Sequence, residues 1–77
     1  MAKYTLHQTV NFYRNTSEHE SSTEIYYVAA STGPFNKQIY LIKYTEGHTP
    51  SSYEISAFGL DPSKKYAYVI EDELSAA

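Results

Sequence analysis

The chain reads as a small all-β domain: a mainly antiparallel sheet of five or six strands, sandwich-like or closed into a small barrel. Three observations lead there. Apolar residues recur with period two along most of the chain. Nine tyrosines and three phenylalanines, together with many β-branched residues, suit a pleated surface. The breaks between apolar stretches are polar and mostly short, and 77 residues make room for one core in a single domain spanning residues 1–77.

The elements follow in order. From Tyr4 to Phe12 one face carries Tyr4, Leu6, Val10 and Phe12 and the other Thr5, His7, Thr9 and Asn11, the pattern of a half-buried strand. Glu24 to Ala30 is apolar on both faces, with Ile25, Tyr27 and Ala29 against Tyr26, Val28 and Ala30, as a central strand would be. Gln38 to Thr45 repeats that pattern with Ile39 and Leu41 opposing Tyr40, Ile42 and Tyr44. Tyr53, Ile55 and Ala57 predict a fourth strand, and Tyr66, Tyr68 and Ile70 a fifth. No stretch sustains an amphipathic helical period, and only a short helical turn through Glu73 and Leu74 is expected near the end. Asn15 to Thr23, polar and without Gly or Pro, predicts a long mobile loop. Ser31-Thr32-Gly33-Pro34 predicts a turn, Glu46 to Ser52 a longer one, and Leu60 to Lys65 the connection between the last two strands.

Leu60, Pro62 and Tyr66 stand in the spacing Leu-x-Pro-x-x-x-Tyr, and with them the stretch from Tyr53 to Ile70 resembles strands E and F of a fibronectin type III domain, an immunoglobulin-like β-sandwich. The resemblance implies that Tyr66 is a tyrosine corner whose hydroxyl bonds to backbone a few residues upstream, and that Leu60 enters the core. It also implies a strand C over Phe35 to Thr45. The family's strand B tryptophan has no counterpart, since the chain holds no tryptophan, and seven residues after Ile70 are too few for a full strand G. A missing last strand would leave an open sheet edge for a partner's strand or a second copy.

Composition removes several function classes. A net charge of −3 is the wrong sign for a protein that neutralises phosphates, so nucleic acid is not an expected partner. Without cysteine there is no disulfide framework and no thiolate metal site. No apolar run approaches the length of a membrane span, so no membrane partner is expected. No secretory leader is visible, which points to the cytoplasm, although a secreted chain whose leader has been removed would look the same. Asn15-Thr16-Ser17 fits the glycosylation sequon, a triplet common by chance.

Catalytic equipment is equally sparse. His7, His19 and His48 lack the spacing of metal ligands, and neither a Gly-x-Ser-x-Gly elbow nor a glycine-rich phosphate loop occurs. The expectation is therefore no enzyme, no cofactor and no metal site. Glu18, Glu20 and Glu24 form one acidic group and Glu71, Asp72 and Glu73 a second, both read as solvated. Lys37, Lys43, Lys64 and Lys65 read as guards of the sheet edges.

The tyrosines carry the strongest hint, because one small core cannot bury nine rings. Tyrosine buries a large rigid area at low entropy cost and is enriched in interfaces. Tyr26, Tyr40, Tyr44 and Tyr68, with the acidic Glu71, Asp72 and Glu73, are the expected partner-binding residues; Leu60, Pro62 and Tyr66 are the structural ones. The expected function is a non-catalytic protein-binding module or small inhibitor, of the kind phages and mobile elements encode, acting through a tyrosine-rich sheet face or an open edge. The alternatives are a self-assembling structural subunit, beginning with a homodimer, and an aromatic-face binder of single-stranded nucleic acid or carbohydrate.

Overall fold

The computed structural model describes residues 2–30 and 36–77. It contains β1 (Thr9–Asn15), β2 (Glu18–Val28), β3 (Ile39–His48), α1 (Ser52–Phe58), β4 (Tyr66–Ile70), a single 3-10 turn (Glu71–Glu73) and β5 (Leu74–Ala76). The strands form one five-stranded sheet in the order β4-β3-β2-β1-β5, with every neighbouring pair antiparallel. The all-β expectation is met by a curled sheet, a half-barrel, rather than by two stacked sheets. The connection from β4 to β5 requires that curl. In a flat sheet the two edges would lie about 19 Å apart, four strand spacings, whereas a three-residue 3-10 turn advances only about 6 Å.

Curling encloses an inner core. Val10 and Phe12 of β1, Ile25 of β2, Tyr40, Ile42 and Tyr44 of β3, Val69 of β4 and Leu74 of β5 pack together with Tyr4 from the segment before β1. Tyr4 and Tyr40 meet edge to face, as do Phe12 and Tyr44. The Tyr40 hydroxyl donates to Glu71 Oε2 at 2.6 Å and accepts the N–H groups of Lys3 and Tyr4 at 3.0 and 3.2 Å. Tyr4 in turn donates its hydroxyl to the Leu74 carbonyl. A second, outer cluster of Leu41, Leu60 and Tyr66, joined by Tyr26, Tyr27, Ile55 and Phe58, covers the opposite face of β2, β3 and β4 beneath α1. Leu41 and Ile42 are adjacent, point to opposite faces, and are both fully buried.

Several expectations are corrected. Asn15 to Thr23 is not a mobile loop. β1 and β2 pair almost to their tips, and the turn is closed by Asn15, whose side-chain carbonyl accepts from Ser17 N–H and Oγ while its amide donates to Glu18. The irregularity moves into the strand, where Ser22 adopts φ 52° and donates its N–H to Asn11 Oδ1 in a bulge. Tyr53, Ile55 and Ala57 are not a strand but the middle of α1. Ser51 caps this helix, accepting the Glu54 N–H while Glu54 accepts the Ser51 N–H, and Gly59 ends it in the left-handed conformation at φ 66°. The first predicted strand begins only at Thr9, because a turn at Leu6 and His7, with His7 at φ 68°, throws Leu6 outward. The turn predicted at Ser31 to Pro34 lies outside the described residues.

Candidate functional site

A bulge in β2 builds the outer face. Ile25 stands opposite Ile42 and Tyr27 opposite Leu41, so Tyr26 is an extra residue in the ladder. The alternation expected from the sequence would send Tyr27 inward with Ile25. The bulge instead puts Tyr26 and Tyr27 on the same outer side, where both join the cluster under α1. Tyr27 stacks on Phe58 with ring centroids 4.3 Å apart, and Tyr26 meets Tyr66 edge-on at 5.3 Å. Leu6, His7, Tyr26, Tyr27, Val28, Ala57 and Phe58 line a shallow depression of about 280 Å³ between α1 and the turn before β1. Tyr53, which is 74% exposed, leans on the Phe58 ring from the solvent side.

Beside this depression lies a cluster of Glu54, Tyr68 and His48. The Glu54 carboxylate accepts the Ser51 N–H at 2.9 Å and the Tyr68 hydroxyl at 2.5 Å, and His48 Nε2 lies 3.3 Å away. The His48 and Tyr68 rings are stacked. The Ser51 N–H and the Tyr68 hydroxyl hold Glu54 down at about 2. Burial and the Glu54 carboxylate push Tyr68 up to about 12, with the Tyr27 and Tyr53 phenols adding smaller pushes. A carboxylate so well supplied with donors is a weak proton acceptor, so the cluster anchors the helix to β4 rather than presenting a poised base. A parallel unit sits at the other end of the face, where Glu24 binds His7 Nδ1 at 2.7 Å and accepts the Tyr26 hydroxyl at 3.3 Å.

The predicted partner-binding residues divide. Tyr40 and Tyr44 are corrected to core residues, since their rings fill the inner cluster. Tyr26 is half-buried and Tyr68, at 44% exposure, belongs to the outer face. Glu71, Asp72 and Glu73 do not form a free acidic patch. Glu71 is held by the Tyr40 hydroxyl and the Lys3 N–H, Asp72 by Lys37, and Glu73 by Arg14 and the Ile70 N–H. Of the structural residues, Leu60 and Tyr66 are buried and Pro62 is exposed. The Tyr66 hydroxyl accepts the Asp61 N–H at 3.0 Å, a bond to backbone five residues upstream. Sequence reading missed Leu6, Tyr27, Tyr53 and Phe58. The signal for Tyr53 and Phe58 was present in Ser51-x-x-Glu54 followed by Gly59, a capping box and a helix stop.

The open edge also looks different. Tyr66 pairs with Lys43 and again with His48, because β3 loops out after Lys43 and its tail returns against the start of β4. At the far end Glu73 accepts the Ile70 N–H. The β4 edge is thus blunted at both ends, and the opposite edge, β5, is three residues long. Of the expected edge guards, Lys43 lies on β3, in the interior of the sheet order. Among the described residues, no group of three His, Asp or Glu side chains could hold a metal ion, and no helix is long and apolar enough to cross a membrane. The chain matches no family model, no curated protein and no solved structure.

Proposed function

We propose that this protein is a non-catalytic protein-binding module that docks through its outer aromatic face in the cytoplasm. The observation that carries this reading is the convergence of three of the four exposed large hydrophobics, Leu6, Tyr53 and Tyr68, around the depression floored by Tyr26, Tyr27 and Phe58. Rigid rings with a wet hydroxyl at one end are the chemistry of protein interfaces. The carboxylates flanking the rings are Glu24 and Glu54, and no lysine or arginine lines the depression, which favours a protein partner over a stacked nucleic acid. Blunted edges favour face docking over strand addition. A small inhibitor that covers a partner enzyme's surface is one form of the same module.

The test is an affinity capture with the immobilised protein from cognate cell extract. The wild type is expected to retain a stoichiometric protein that Leu6→Ser with Tyr53→Ser releases, while Tyr13→Ser, which alters the exposed ring on the β1–β2 hairpin, retains it. No captured partner, or equal loss with Tyr13→Ser, would sink the reading. Solution mass across a hundredfold concentration range should stay monomeric. A dimer abolished by Tyr53→Ser would make the face self-complementary and the protein a self-assembling subunit instead.

A further inference from the structure

The chain carries six basic side chains against nine acidic ones, so each cation has carboxylates available to it. Arg14 pairs with Glu73 and Glu18, and Lys37 with Asp72. Lys3 lies 5.7 Å from the centre of the Tyr4 ring. The remaining three, Lys43, Lys64 and Lys65, converge instead on one depression of about 330 Å³, which they line with Thr45 and Ser63. None of the three takes part in any of the ion pairs among the described residues. The acids around the depression are turned to other work. Asp61 is held by the N–H and hydroxyl of Ser63 and feels Lys64 only through space, and Glu20 accepts the Thr45 N–H.

We infer that Lys43, Lys64, Lys65 and Thr45 form a binding site for a small phosphate-bearing ligand carrying two or more negative charges, a diphosphate or its monoester. Three ammonium groups without internal partners repel one another, and a concave surface concentrates their field on whatever enters it. A single carboxylate would leave that charge under-matched, whereas a phosphoryl group brings nearly two charges and three acceptor oxygens. Lysine suits this role as a mobile point charge with three donors. The volume stands at the low end of small-molecule sites. Two different segments supply the lysines: Lys43 comes from β3 and Lys64 and Lys65 from the approach to β4, and the pairing of Lys43 with Tyr66 holds those segments together. The site shares no residue with the aromatic depression, so it is independent of the docking face.

The experiment is a titration of the isotope-labelled protein with sodium pyrophosphate at low ionic strength, followed by amide chemical shifts. Saturable shifts confined to residues 43–45 and 63–65 are expected, with affinity falling at least tenfold in Lys64→Gln with Lys65→Gln and again when salt is raised from about 0.01 M to about 1 M, which shortens the Debye length from about 30 Å to about 3 Å. Lys37→Gln should leave the affinity unchanged, and the unperturbed remainder of the spectrum reports that the variants are folded. Linear shifts spread over the surface, or equal loss with Lys37→Gln, would overturn the site. Binding of a hexaglutamate peptide or a single-stranded oligonucleotide without binding of pyrophosphate would overturn the ligand class.

Discussion

The two faces of the curled sheet use the same residue type to opposite ends. Inside, Tyr4 and Tyr40 are buried and their hydroxyls serve backbone groups and the Glu71 carboxylate, tying the segment before β1 to β3, the 3-10 turn and β5. Outside, the Tyr26 and Tyr68 hydroxyls meet the carboxylates Glu24 and Glu54 near solvent, and Tyr53 stands almost free. A phenol ring is worth about the same wherever its area is buried, but its hydroxyl is structural only where water cannot replace its partner. Depth, set by the curl and by the β2 bulge, decides which tyrosines are sealed into the core and which keep their rings or hydroxyls near solvent.

The sharpest way to break this contrast is to truncate the two adjacent residues that face opposite ways. Ile42→Ala should cost about 3 kcal/mol and lower the melting temperature by roughly 15 °C, since it opens a cavity in the inner core. Leu41→Ala should cost nearly as much if α1 seals the outer cluster as tightly as the curl seals the inner one. A loss below about 1 kcal/mol for Leu41→Ala, measured by urea unfolding, would mean that the helix is a loose cover. Next in size, Tyr40→Phe removes the acceptor for two N–H groups and the donor to Glu71, and should cost about 2 kcal/mol. The outer counterpart, Tyr66→Phe, strips only the Asp61 N–H and should cost about 1 kcal/mol. An unchanged denaturation midpoint for Tyr66→Phe would show that water replaces this bond.

The smallest effect sharpens the comparison through pH. Glu54 stays ionised down to about pH 2 in the folded chain against an ordinary 4.5, so the unfolded chain binds more protons between those values. Its contribution to stability is present above about pH 5 and is lost as the pH falls from about 5 to about 2. Tyr68, pushed up to about 12 from 10, contributes stability that is lost as the pH rises through that interval. Glu54→Gln should therefore narrow the difference in melting temperature between pH 7 and pH 3, leaving the share that Glu71 supplies through its bond to Tyr40. An undiminished acid limb would remove Glu54 from the account.

The strands that were legible in the sequence are those fed by apolar residues on both faces, β3 above all, where Tyr40, Leu41 and Ile42 alternate between two covered sides. Period two failed at Tyr53, Ile55 and Ala57 because a seven-residue helix is too short to display its own period, and its identity lies in the caps at Ser51 and Gly59. The β2 bulge was out of reach for a different reason. It is a relation between Tyr26 and the register of β3, which no single strand encodes. The face that follows from it, Tyr27 against Phe58, was hidden with it, as was the burial of Tyr40 and Tyr44. Exposed and core tyrosines are the same residue and differ only in what covers them.

Gly47 lies where the β3 tail crosses the start of β4, and a Cβ there would stand 2.2 Å from the Tyr66 carbonyl oxygen. Any side chain would lift the tail away. That same tail delivers His48 to Tyr68 and leads directly into Ser51, so the covering of the strand and the assembly of the aromatic surface depend on one segment. With the tail lifted, β4 would be a bare template beside exposed rings. Glycine at this single position thereby guards the sheet edge against association as much as it sets shape.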